Sequence, residues 1–170
     1  MTAIEMAKAL ATALAEAGSD TVFGMPGGGN NLDFIGAAEA CGLRFILAHA
    51  ETNAVIMASV YGDLTGRPTA CVVTRGPGAA SAVNGVANAL LDRQAVVLVA
   101  DAVDTASSAR ILHQQLDQLA LFRPVTKWAV TLSDEDPGDT ARAAIALAMS
   151  PPRGPVLVNV DPSGTSRPAP

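Results

Sequence analysis

Aromatic side chains are scarce in this chain: one Trp, one Tyr and four Phe, 4% of 170 residues. A sequence that is 49% hydrophobic with so few rings must build its core from Ala, Val, Leu and Ile, and its length suffices for one domain with a real core. Basic clusters are absent too. Eleven Lys and Arg face 16 Asp and Glu, for a net charge of −5 and a pI near 4.8, so no nucleic-acid partner is expected. The only two cysteines, Cys41 and Cys71, stand in apolar contexts without metal-ligand spacing and read as buried free thiols of a reducing compartment. No apolar run approaches the ~20 residues of a membrane span. Glu5 and Lys8 interrupt the N-terminal stretch where a signal peptide would be apolar. The expectation is a cytoplasmic protein with no membrane association.

What is present is alternation. Met6, Leu10 and Leu14 recur at i+4 and predict a helix closed by Gly18. Strands are expected at 21–24, 44–48, 69–74, 95–100, 127–132 and 155–160. Helices are expected at 31–41, with Asn30 and Asn31 available as caps, and at 51–65, 79–91, 112–121 and 140–149. Asp134, Asp136 and Asp139 lead into the last of these, where acids favour a helix start. Residues 102–109 read as loop. Strands that alternate with helices predict an α/β fold: a doubly wound, six-stranded, mostly parallel sheet with helices on both faces. The domain spans 1–161, and 162–170 is a Pro- and Ser-rich tail.

In such sheets ligands bind beyond the carboxyl ends of the strands, and three features fall there. Glu51 stands where an apolar run, Arg44-Phe45-Ile46-Leu47-Ala48, gives way to a helix. As a functional group it would be a carboxyl held out of bulk water; as a structural one it complements the helix dipole. Gly27-Gly28-Gly29 follows the first strand, and three glycines let backbone approach a ligand closely. Gly76-Pro77-Gly78-Ala79-Ala80-Ser81 follows the third strand. With Asp101 about 20 residues on, it imitates a dinucleotide fingerprint, although that fingerprint normally sits after the first strand and Ser81 spoils its last small position. His49 and His113 are isolated, and Met57 and Tyr61 are expected in the core. No Ser-His-Asp set and no phosphate-binding Walker loop is legible.

The order of these pieces carries a resemblance. Phe23-Gly24-Met25-Pro26-Gly27-Gly28, Glu51, Tyr61-Gly62, Thr65-Gly66, Gly76-Pro77-Gly78-Ala79 and Asp92 resemble the pyrimidine-binding (PYR) domain of thiamine-diphosphate-dependent enzymes. His113-Gln114-Gln115-Leu116-Asp117 and Arg123-Pro124-Val125-Thr126-Lys127 are similar to the acetolactate synthase branch. The resemblance implies the thiamine-diphosphate-binding fold of PYR type and a role for each position. Glu51 would be the catalytic acid, meeting N1′ of the aminopyrimidine and favouring the 4′-imino tautomer that takes the proton from thiazolium C2. Met25, Gly27, Thr74, Pro77, Ser81 and Gln114 would contact the cofactor. It further implies decarboxylation of a small 2-keto acid, with or without carboligation.

Five positions depart from the family pattern. His49 is displaced by one from the usual position before the glutamate. Ser81 stands where Asn commonly does. His113 and Gln115 replace the usual Phe and an acid, and Ala95 replaces a common proline. The Gly-Asp-Gly…Asn motif that holds Mg²⁺ and diphosphate in full-length relatives is not found: Tyr61-Gly62-Asp63-Leu64 does not match it, and Val158-Asn159-Val160-Asp161 lies in an expected strand. The resemblance therefore implies one half of a split enzyme, or an excised domain, inactive alone. Thiamine diphosphate would be shared with a diphosphate-binding (PP-domain) subunit that supplies the Mg²⁺ site, in a homodimer or heterotetramer. The alternatives are a regulatory or scaffolding protein of the same fold without catalysis, and a dinucleotide-binding module.

Overall fold

Side chains along a strand point alternately to opposite sides, and here both sides are apolar. Ala70, Val72, Val97, Val99, Val156 and Val158 join one core cluster; Cys71, Val73, Val96, Leu98, Ala100 and Leu157 join the other. Strands of this kind must be covered twice, so the helices divide between two faces. A computed structural model describes residues 2–102, 112–132 and 136–161. The elements are α1 (Ala3–Glu16), β1 (Thr21–Met25), α2 (Asn31–Ala40), β2 (Arg44–Leu47), α3 (Glu51–Thr65), β3 (Ala70–Val73), α4 (Pro77–Leu91), β4 (Val96–Asp101), α5 (Gln118–Phe122), β5 (Trp128–Leu132), α6 (Pro137–Met149) and β6 (Pro155–Val160), with a 3₁₀ turn at Arg123–Val125.

The sheet runs β2-β1-β3-β4-β6-β5, and every pairing is parallel. Helices α1, α2 and α6 bury Met6, Leu10, Leu14, Phe34 and Ile145 on one face. Helices α3, α4 and α5 bury Val55, Ala58, Ala82, Val86 and Phe122 on the other. From β1 the chain steps outward to β2 and then returns past β1 to β3. The strand order therefore reverses at the β1–β3 seam, and the crevice beyond the carboxyl ends of those two strands is where such sheets take ligands.

The sequence expectation of a doubly wound, six-stranded sheet holds, and most element ends shift by one or two residues. Helix α4 starts at Pro77, not at residue 79, and α6 at Pro137, not at 140. Proline suits the first helical turn, since its φ is preset and it has no N–H to leave unpaired. Asp136 caps α6 by accepting from Asp139 N at 2.8 Å. The helix expected over 112–121 shrinks to α5, begun by Asp117, whose carboxylate accepts from Ala120 N at 2.9 Å. Upstream, Gln114 has a φ of +60°, which a right-handed helix does not allow. Strand β4 extends through Asp101. Neither Asn30 nor Asn31 caps α2 through its side chain.

Of the two thiols expected inside, Cys71 is buried and Cys41 is exposed at the end of α2. Met57, expected in the core, is 39% exposed. Tyr61 is half-buried against Phe23, ring centroids 5.6 Å apart. The tail at 162–170, Asp134, and all of the expected loop except Ala102 lie outside the described residues.

Candidate functional site

Both glycine turns and Glu51 meet at the β1–β3 seam, and Thr74 is their common neighbour. A Cβ placed on Gly27 would lie 2.8 Å from Thr74 Cβ. One placed on Gly78 would lie 2.5 Å from Thr74 Cγ2 and 3.3 Å from Glu51 Oε1. The first turn and the start of α4 thus close on either side of Thr74, and the Glu51 carboxylate rests against the start of α4. Thr74 Oγ1 also donates to Gly28 O at 3.3 Å.

Glu51 is the first residue of α3 and half-buried. Thr52 beside it donates to Ser81 O at 2.5 Å and ties the starts of α3 and α4 together. Gly85 brings the two helices close, since a Cβ there would meet Thr52 O at 2.7 Å and Val55 Cβ at 2.9 Å. Beneath Glu51 is Cys71. Burial, with the Glu51 charge adding to it, pushes the Cys71 thiol far up and leaves it inert.

Gly76 holds the second turn in place. Its φ is +63° and ψ −115°, a conformation for glycine alone, and it packs directly against the Gln114 carbonyl. Gln114 is brought to the rim in this way through its backbone. Met25, half-buried, ends β1, and Pro77 is exposed at the head of α4. Ser81 is exposed, and its hydroxyl donates back to Pro77 O at 2.9 Å within its own helix, not toward Thr74. His49 is exposed.

Sequence reasoning missed two further residues. Asn31, read as a cap, instead accepts from Gly27 N at 3.2 Å and donates to Gly28 O at 3.1 Å and to Asp101 Oδ2 at 2.7 Å. Gln118 accepts from Gly76 N at 2.7 Å and donates to Asp101 O at 3.0 Å and Asn159 Oδ1 at 2.8 Å. Neither stands out in the sequence: Asn31 follows Gly27-Gly28-Gly29-Asn30, and Gln118 sits beside Asp117 and just after Gln114 and Gln115. Burial pushes the Asp101 carboxyl up to about 6, while the Asn31 hydrogen bond and the Arg75 charge pull it down. Asp101 is 2% exposed with its carboxylate engaged by Asn31, so it does not present the free acid that a dinucleotide ribose needs.

The two glycines at this seam make room for Thr74, whose side chain fills the space their Cβ atoms would take. Side chains at Gly27 and Gly78 would run into Thr74, so bare backbone and one carboxylate border the seam. The seam thus presents one carboxyl able to share a proton with a basic nitrogen. It offers no cluster for a metal, since no group of three or more His, Cys, Asp or Glu positioned to hold an ion occurs among the described residues.

Known proteins share this sequence pattern and this fold. The family "Thiamine pyrophosphate enzyme, N-terminal TPP binding domain" matches residues 4–121. The acetolactate synthase of Bacillus subtilis is 40% identical over 121 residues, which cover 71% of this chain and 21% of that enzyme. The 2-hydroxyacyl-CoA lyase 2 of Bos taurus is 36% identical over 134 residues, 78% of this chain and 21% of the other. The thiamine-diphosphate-dependent 4-hydroxybenzoylformate decarboxylase of Rhodococcus jostii superposes with a TM-score of 0.81 at 27% identity, covering all of this chain and 32% of that one. The chain spans about a fifth of the length of these curated relatives. It belongs to the thiamine pyrophosphate enzymes and corresponds to their N-terminal, pyrimidine-binding domain.

Proposed function

We propose that this chain is the pyrimidine-binding half of a thiamine-diphosphate-dependent enzyme that decarboxylates a small 2-keto acid, with carboligation in the manner of acetolactate synthase. The observation that carries the reading is the Glu51 carboxylate lying against Gly78, which packs on Thr74, at the strand-order reversal. In this reading Glu51 Oε1 shares a proton with the ring nitrogen, Gly27 and Gly78 lend bare backbone, and Thr74 sets their spacing. Met25 and Pro77 border the ring, and Gln114 closes the rim. Ser81 acts through its carbonyl, which fixes α3 against α4, with its hydroxyl kept in the helix. When bound, the cofactor supplies the electron sink that decarboxylation needs.

The diphosphate and its Mg²⁺ belong, in this reading, to a PP-domain partner subunit, in a homodimer or heterotetramer located in the cytoplasm. An apolar stripe supports the need for a partner: Met57, Val60 and Leu64, at helical spacing on α3, are 39%, 38% and 82% exposed. The test is Glu51→Gln, assayed with the diphosphate-binding subunit that co-purifies with the chain. Turnover of the 2-keto acid should fall by about 10²-fold or more while the melting temperature holds. Unchanged turnover would refute the assignment.

A further inference from the structure

Two buried carboxamides do matching work on the two glycine turns, and both are anchored on one residue. Asn31 uses all its hydrogen-bonding atoms: Oδ1 takes Gly27 N–H, and Nδ2 gives its two protons to Gly28 O and Asp101 Oδ2. Gln118 does the same: Oε1 takes Gly76 N–H, and Nε2 gives its two protons to Asp101 O and Asn159 Oδ1. Asn31, Asp101, Gln118 and Asn159 are 1%, 2%, 4% and 4% exposed. Neither amide can be flipped without opposing N–H to N–H and stranding buried acceptors, which is costly. Fully satisfied buried networks of this kind rigidify their surroundings and specify one geometry. Asp101 thus holds the first turn by its side chain and the second by its backbone, and a Cβ on Gly29 would lie only 2.7 Å from its Oδ2.

We propose that Asp101 is a positioning residue, which through Asn31 and Gln118 clamps the Gly27–Gly29 and Gly76–Gly78 turns at a fixed separation across the β1–β3 seam; its bearing on catalysis rests on the thiamine reading above. The clamp has two separable arms. Replacing the Asp101 side chain releases only the Asn31 arm, because Gln118 holds the main-chain carbonyl. Replacing Gln118 releases only the Gly76 arm.

Amide hydrogen exchange of the ligand-free full chain, resolved at Gly27 and Gly76, reads each arm directly. Asp101→Leu should speed exchange at Gly27 about tenfold and leave Gly76 within about threefold, and Gln118→Met should do the reverse. Asp101→Asn, which still offers an oxygen to Asn31 Nδ2, should restore most of the Gly27 protection. Where Asp101→Leu fails to fold, Asn31→Ala removes the same arm. Equal acceleration of both glycines and of the β1 and β3 amides in every variant, or no acceleration at Gly27, would overturn the clamp. No cofactor enters this measurement. A failed clamp leaves the Glu51 assignment standing, and an inactive Glu51 assignment leaves the clamp as a device of the fold.

Discussion

Gly76→Ala tests whether the second turn is held as tightly as its geometry implies. Two costs add at this position. The first is conformational: a φ of +63° with ψ −115° is a region essentially closed to residues with a Cβ, at about 1–3 kcal/mol. The second is steric: the new methyl would point into the Gln114 carbonyl, which is backbone and cannot swing aside as a side-chain tip could. Forcing atoms into such a contact costs about 1–3 kcal/mol more. Relief by moving the turn would break the Gly76 N–H to Gln118 hydrogen bond of 2.7 Å, so neither route is free.

A total loss of about 3 kcal/mol or more is therefore expected, a large share of the 5–15 kcal/mol typical of a domain. With a urea slope near 2 kcal/mol per molar, the midpoint should fall by about 1.5 M. Trp128, the only tryptophan and half-buried in β5, reports unfolding by fluorescence. The control is Gly28→Ala, where a Cβ would meet nothing within 4 Å. It should change stability by no more than about 1 kcal/mol, toward greater stability if at all. A midpoint shift below about 0.5 M for Gly76→Ala, or an equal loss for Gly28→Ala, would refute the reasoning.

Three other outcomes are expected. The Asp101 carboxyl is raised by burial from 3.8 to about 6, so between those values the folded state keeps a proton that the unfolded state has lost; stability is full below about pH 4, falls as pH rises to 6 by at most about 3 kcal/mol, and is flat above. With Arg75 and Asp33 the other charges bearing on it, Asp101→Asn should flatten that stretch in urea titrations from pH 4 to 7, and a slope that survives would point to another group. Lys127 donates to Leu147 O, Ser150 O and Ser150 Oγ at the end of α6; Lys127→Met keeps the stem and loses the donors, at about 1.5–3 kcal/mol in thermal unfolding at pH 7, and a loss under about 0.5 kcal/mol would remove the lysine as the cap of α6. Leu64→Glu, on the exposed α3 stripe, should leave chain stability within about 0.5 kcal/mol while weakening assembly at least tenfold in sedimentation velocity; unchanged assembly would place the interface elsewhere.

The fold was legible because its signals are local. Strand β4 reads as an apolar run as far as Ala100, and the structure buries every one of its residues, Asp101 included. Helix α1 shows its i+4 repeat of Met6, Leu10 and Leu14, and the structure buries all three. Where the reading slipped, a local signal lost to something unseen. The 112–121 stretch carries helix-compatible residues, but packing against Gly76 puts Gln114 at positive φ and delays the helix until Gln118. Cys41 looks apolar in sequence and emerges exposed at the end of α2, its thiol beside the Thr12 hydroxyl of α1.

The site divides along the same line. Glu51 and the two glycine turns were visible, since each is a breach of pattern at a strand end. The residues that hold them were not. Asn31 reaches Asp101 across 70 positions and Gln118 reaches Gly76 across 42, and nothing in a window of a dozen residues encodes such a pairing. Asp101 shows the consequence most sharply. Its spacing from Gly76 invited a nucleotide reading, yet its carboxylate faces Asn31 and its carbonyl faces Gln118. A glycine marks where backbone can come close; which buried amide makes it do so is decided by strand order. In a sheet whose order reverses between β1 and β3, the end of β4 is the next anchor beyond the seam. That is why one acid there can hold both turns, and why its substitution should be felt at Gly27 before it is felt in the core.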